Sequence, residues 1–175
     1  MVSAGLSAIS NSIPKAARIR SQLRQVTPRT ILDLKNYVRV FLDVKVPDKR
    51  VCPDHHSPLD YLWHSFSADC APPTGGTQNS TRPNGDAVVW ANRAGGKTEL
   101  AAIATLLDCV LKPNCQVRIL GGSGEQAGRM YDYLLGFLQD GFEQFLAGKA
   151  LKTKCRFANG SSVEVLTQSA RSVRG

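Results

Sequence analysis

Several features are missing from this sequence, and each absence removes a class of protein. No stretch of eighteen consecutive apolar residues occurs, and the richest run, Ala101 to Leu111, is broken by Thr105 and Asp108. A membrane-spanning helix is therefore excluded. No CxxC pair occurs among Cys52, Cys70, Cys109, Cys115 and Cys155. An odd cysteine count without such pairs argues for free thiols in a reducing compartment and against a disulfide scaffold. The first thirty residues lack the apolar core of a secretory signal. They also lack any acid before Asp33, while Lys15, Arg18, Arg20, Arg24 and Arg29 lie there. Such a start reads as a frayed basic arm or as an organellar transit peptide.

The composition that remains is that of a single globular domain. A chain of 175 residues is long enough to bury a core. With 42% apolar and 21% charged residues, wholesale disorder is excluded. Twenty-two Lys plus Arg against fourteen Asp plus Glu leave a net charge of +8. That excess favours polyanionic partners, nucleotide or nucleic acid.

The chain divides into three parts. Residues 1–70 form a basic arm and a helical region. Thr27-Pro28 is a helix start, and Ile31, Leu34, Val38, Phe41 and Leu42 then share one helical face. The tail, Val40 to Val46, also alternates as a strand would. Ser57-Pro58 repeats the cap-then-proline signal before Leu59, Leu62, Trp63 and Phe66. Residues 71–86 are Pro, Gly, Ser, Thr and Asn with almost nothing apolar, and read as a linker or loop. In residues 87–175 the pattern alternates between strand and helix. Ala87 to Ala91 is a short apolar run expected to be a buried parallel strand. Thr98 to Leu111 is a helix, Gln116 to Leu120 a strand and Glu125 to Leu138 a second helix. Cys155 to Ala158 and Ser162 to Thr167 flank Asn159-Gly160, a hairpin signal. The expected fold class is α/β: a parallel sheet flanked by helices, with a helical N-terminal region and one β-hairpin.

One segment carries chemistry. Ala91-Asn92-Arg93-Ala94-Gly95-Gly96-Lys97-Thr98 matches the phosphate-loop pattern GxxxxGK[ST] except for Ala91 at the first position. Gly95 and Gly96 let backbone N–H groups turn toward phosphate oxygens. Lys97 would reach the terminal phosphates of ATP, and Thr98 would offer its hydroxyl to Mg²⁺ at the start of a helix. The plain alternative is a surface Gly-rich turn; the apolar run before it and the amphipathic helix after it favour the phosphate loop.

A complete ATPase of this type also needs an acid at the end of a later apolar strand. Asp108 lies inside a helix, Glu164 in the hairpin, and Asp43 precedes the loop. None fits. Glu125 and Glu164 are the only tempting substitutes for the acid that prepares the attacking water. Elsewhere, Cys52, His55, His56, His64 and Cys70 fall within nineteen residues. Their spacing is not that of a standard zinc finger, and ordinary partly buried residues explain them as well.

The order of motifs resembles the N-terminal ATPase domain of the large terminase subunit, the DNA-packaging motor of tailed bacteriophages. Four stretches carry the resemblance: Ala91 to Thr98 with Arg93 before the glycines; Gly121 to Ala127 with its Ser-x-x-Gln; Phe157 to Thr167; and Gln168 to Gly175. It covers about half of the chain. The resemblance implies ATP and Mg²⁺ as cofactors, with Ala91 to Thr98 holding the phosphates and Thr98 the metal. It implies that Arg93 contacts the γ-phosphate and that Arg174 is an arginine finger, whose plain alternative is a solvated basic residue. It places an adenine-contacting segment upstream of the loop, where Pro58 and Tyr61 stand, although a capped helix that buries Leu62, Trp63 and Phe66 explains the same letters. It further implies double-stranded DNA, a portal and a small terminase subunit as partners, a homo-oligomeric ring, and a location in the host cytoplasm. In that family an apolar strand ending in Asp-Glu, a coupling segment and a nuclease domain would follow Gly175. Without them, the chain is expected to be a truncated product, a split gene or a partial reading frame with little ATPase activity of its own. A helicase-like ATPase and a non-catalytic basic nucleotide- or DNA-binding fragment are the alternatives.

Overall fold

The computed structural model describes residues 15–67 and 87–167. Its elements are α1 (Lys15–Leu23), α2 (Ile31–Leu42), α3 (Pro58–Ser67), α4 (Lys97–Leu111), β1 (Gln116–Gly121), α5 (Gly124–Gln139), a 3-10 turn (Glu143–Phe145), β2 (Lys154–Arg156) and β3 (Ser162–Thr167). Among the described residues, no helix is long and apolar enough to cross a membrane.

Local signals set most of the helix starts. The Ser57 hydroxyl accepts from the Asp60 N–H at 3.1 Å, and the Asp60 carboxylate accepts from the Ser57 N–H at 2.9 Å. That reciprocal pair starts α3 where Ser57-Pro58 indicated. α2 starts three residues later than Thr27-Pro28 suggested. Thr30 and Asp33 form the reciprocal cap, with N–H···O distances of 3.1 and 3.0 Å. A cap that satisfies two orphan N–H groups outweighs a proline that satisfies none. α2 then runs to Leu42, where Asp43 adopts a left-handed φ of 53°. The alternation from Val40 to Val46 therefore produces no strand.

The sheet is mixed and has three strands in the order β1-β3-β2. β1 and β3 are parallel, from Gln116 beside Ser162 to Gly121 beside Thr167. β2 joins β3 antiparallel, from Lys154 beside Glu164 to Arg156 beside Ser162. Val117, Ile119, Val163 and Val165 pack into the core, whereas the alternate side chains Gln116, Arg118 and Leu120 are exposed. The α/β character agrees with the sequence, as do the parallel β1–β3 pair and the antiparallel β2–β3 pair; the described sheet is small and mixed.

Two strand expectations need correction. Ala87 to Ala91 is not a strand, and Val88 and Trp90 are each 95% exposed. An apolar run becomes a buried strand only between neighbours that satisfy its backbone. Here β1 and β3 pair with each other and β2 takes the far edge, so no described strand lies beside 87–91. The hairpin forms with a turn longer than two residues: the Phe157 N–H donates to the Ser161 carbonyl at 2.8 Å and the Gly160 N–H to the Phe157 carbonyl at 3.1 Å, which leaves 158–160 as the turn.

The reason lies in what Asn159 does. Its side-chain N–H groups donate to the carbonyls of Cys109, Val110 and Lys112 at 2.9, 3.4 and 3.3 Å. Its side-chain oxygen accepts from the Ser161 N–H. Ser161 adds a bond from its hydroxyl to the Lys112 carbonyl at 2.9 Å. The connection thus closes the C-terminal end of α4, whose last carbonyls would otherwise lack partners.

One hydrophobic core joins Leu34 and Val38 of α2, Leu62 and Phe66 of α3, Ile103 and Leu106 of α4, Tyr131 and Leu134 of α5, and Val163 of β3. The stretch after α1 is held to the turn that follows α5 by Arg24, whose guanidinium lies 4.8 Å from the Phe142 ring centre and donates to the Asp140 carbonyl at 3.4 Å. Tyr37 donates its hydroxyl proton to the Arg24 carbonyl at 2.6 Å. Gly141, at φ 96°, lies directly beneath: a Cβ there would come within 2.5–2.8 Å of the guanidinium.

Candidate functional site

The phosphate-loop segment leads into α4 through two left-handed residues, Ala94 at φ 61° and Gly96 at φ 72°. Gly96 is the N-cap, and no side chain caps the helix there. Among the described residues no side chain caps the first N–H groups of α4, and the positive end of the helix dipole faces the loop. Gly95 allows a close approach: a Cβ there would lie 2.5 Å from the Asn92 side-chain oxygen. The Lys97 ammonium folds back into the loop and donates to the carbonyls of Ala91 and Asn92 at 2.7 and 2.6 Å. Ala91, Asn92, Gly95, Gly96 and Lys97 are thus drawn together. Arg93 and Thr98 are exposed at the same loop. Arg174 lies outside the described residues, as do the linker 71–86 and the run from Gln168 to Gly175.

The loop borders a cleft of about 680 Å³. One wall is the 87–91 stretch with Gly95, Lys97 and Leu100; the other is α3 and the turn before it. Pro58, Tyr61 and His64 recur every three residues along the cleft side of α3, with Trp63 beside them. Leu59, Leu62 and Phe66 occupy the opposite side and are buried. Helical periodicity lets one short segment fill the core and line a cleft at the same time. The volume and the mainly apolar lining suit a small organic ligand held at one end by charge.

Electrostatics at this cleft are mixed. Asp60 is held below the ordinary carboxylate range mainly by the Ser57 backbone N–H, with the Ser57 hydroxyl and Arg50 contributing. Arg50 lies 3.5 Å from that carboxylate. Burial pushes the Tyr61 phenol up, and the nearby Asp108 charge adds to this.

The acids considered from sequence do not gather at the loop. Glu125 pairs with Arg129 at 2.6 Å and Glu164 with Lys154 at 3.5 Å. Asp108 pairs with Lys112 at the far end of α4.

The cysteine–histidine segment comes together only in part. The Cys52 sulfur lies 2.6 Å from Nδ1 of His55, and His55, His56 and His64 line the cleft. Among the described residues, no group of three or more His, Cys, Asp or Glu side chains could hold a metal ion. Cys70 lies outside them. A zinc site needs four ligands, or three plus water, so the described residues do not form one.

Sequence reasoning missed Trp90 and the three histidines as cleft residues. The three-residue spacing of Pro58, Tyr61 and His64 was the available signal. No protein-family model matches the chain, and no curated protein matches it either.

Proposed function

We propose that this chain is the nucleotide-binding part of a terminase-type motor, in which ATP hydrolysis drives the translocation of double-stranded DNA. The observation that carries the reading is the position of Lys97. Its ammonium sits inside a glycine-bearing loop at an uncapped helix N-terminus, beside a cleft with an aromatic wall. A triphosphate entering there would exchange the two carbonyl contacts of Lys97 for contacts with ionised phosphate oxygens and take up the orphan N–H groups of α4. The base would lie in the cleft against Pro58 and Tyr61. Thr98 would hold Mg²⁺ and Arg93 would reach the γ-phosphate, stabilising the charge that develops during transfer. Arg174 as an arginine finger, a ring of subunits, and portal and small-subunit partners in the host cytoplasm belong to the same proposal.

A second reading, a domain that holds nucleotide and turns nothing over, is favoured by the ion pairs that engage Glu125 and Glu164 away from the loop. General-base and metal-positioning groups together contribute several powers of ten in rate. Calorimetry with ATP and Mg²⁺ tests the common part of both readings. The 175-residue chain should bind weakly and Lys97→Ala should not; equal binding by both would overturn the loop assignment. Turnover separates the two. Near-background hydrolysis is expected, and about one turnover per second or faster, abolished by Lys97→Ala, would reject the second reading.

A further inference from the structure

The sheet buries one face and leaves the other open. Val117, Ile119, Cys155 and Val163 belong to the core, and the residues that alternate with them lie on the outer face. The strand register lays that face out in rows. Arg118, Glu164 and Lys154 stand side by side across β1, β3 and β2, and Gln116, Ser162 and Arg156 form the neighbouring row. Together they line an open hollow of about 450 Å³.

Positive charge is concentrated here. Residues 147–156, which make up β2 and the loop before it, carry Lys149, Lys152, Lys154 and Arg156 and no acid. With Arg118 they surround a single carboxylate, Glu164. Among the described residues only Lys154 of these five cations is ion-paired, to Glu164 at 3.5 Å, and the other four are exposed. The neutral groups, by contrast, are matched: the Ser162 hydroxyl donates to the Gln116 side-chain oxygen at 2.5 Å, and the Gln116 amide to the Gly160 carbonyl at 3.2 Å. The loop is braced as well. The Ala147 N–H donates to the Arg156 carbonyl and the Leu151 N–H to the Lys154 carbonyl, each at 2.8 Å, and the Tyr131 hydroxyl donates to the Leu151 carbonyl at 2.9 Å. The cations therefore stand on a framed backbone. Charge on edge strands deters pairing with other chains, but either sign serves that purpose, so it does not account for five cations around one acid.

We propose that this sheet face and its loop hold the phosphate backbone of a nucleic-acid duplex. The choice of occupant follows from what the surface offers. A protein partner needs an apolar or aromatic centre, and a single strand needs exposed rings on which bases stack. Phe157, the aromatic residue at the hollow, is only 3% exposed, and the exposed Leu120 and Leu151 stand at opposite edges of the sheet. Phosphate contacts need cations and no base readout. Three strands span roughly 10 Å, enough to meet several phosphates of a duplex that carries about one charge per 1.7 Å of its axis. The face supplies a place for the DNA of the motor reading, but it is argued from its own charges and not from the phosphate loop.

Fluorescence anisotropy of a labelled duplex of about 20 base pairs and arbitrary sequence, titrated with the full 175-residue chain without nucleotide over a range of KCl concentrations, tests this. Binding should be in the micromolar range and fall steeply with salt. Arg118→Gln with Arg156→Gln should weaken it by about tenfold and lower the magnitude of the log–log salt slope by about 2, and Lys149→Gln with Lys152→Gln should do the same. Arg39→Gln with Lys45→Gln removes the same charge from exposed positions at the end of α2 and beyond; it should change binding by no more than about twofold. Lys97→Ala should bind the duplex as the parent does, so failure of the loop assignment and failure of this surface are told apart. The proposal is overturned if the duplex does not bind at the lowest salt, or if the α2 pair costs as much as either sheet pair. It is equally overturned if a single strand, polyglutamate or phosphatidylserine vesicles compete as well as unlabelled duplex. Circular dichroism checks folding; should one sheet pair fail to fold, the other decides.

Discussion

The two ends of α4 are finished in opposite ways. At the C-terminal end Asn159 bonds three carbonyls, Ser161 bonds a fourth time, and Asp108 pairs with Lys112. At the N-terminal end there is no side-chain cap; a left-handed alanine and glycine lead in, and the flanking Val88 and Trp90 are almost fully exposed. Folding alone favours the first arrangement, because each unpaired helix-end group costs stability. An end that keeps its donors unspent and places a lysine among them has the chemistry of an anion site.

The contrast can be broken in order of expected effect. Lys97→Ala should weaken ATP·Mg²⁺ binding by about a hundredfold, roughly 3 kcal/mol for a charge-assisted contact, with little change in the urea midpoint. A large loss of stability with intact binding would reverse the roles assigned to the two ends. Asn159→Ala should do the opposite. It leaves α4 carbonyls unpaired and should cost about 2 kcal/mol by chemical denaturation, with nucleotide affinity retained in the folded protein. Ala94→Gly relieves a left-handed alanine and should raise stability by about 0.5 kcal/mol; a decrease would show that this loop is not strained as described. Trp90→Ala should change stability least, within about 0.5 kcal/mol as for other exposed sites. If calorimetry shows weaker ATP binding in that variant, the cleft wall takes part in recognition.

How far these features can be read from the letters depends on what each one needs. α2, α4, α5, β1 and β3 were legible because their periodicity is local and strong. The start of α2 was misplaced because Thr30 and Asp33 form a stronger cap than Thr27-Pro28. α1 went unread because Lys15–Leu23 is mostly basic and polar and has no wide apolar face. The glycine-bearing loop before α4 was legible as a motif, yet the strand expected to precede it is not a strand. Membership in a sheet is decided by neighbours, which a short apolar run does not reveal. Asn159-Gly160 reads as a turn in any sequence, but its cap on α4 depends on a residue nearly fifty positions earlier. The face of α3 that lines the cleft was visible in the spacing, and the buried face hid it by explaining most of the same residues.

The cleft beside the loop has its two walls on α3 and on the start of α4, and both helices bury their inner faces in one core. Walls anchored in a common close-packed interior cannot part like a pair of jaws without breaking that interior. The lining outside those helices is exposed chain: the 87–91 stretch before the loop and residues 50–56 before α3. The two helical walls are therefore fixed relative to each other, so their part of the cleft has its shape before any ligand arrives. Selection by that shape carries no cost of domain closure.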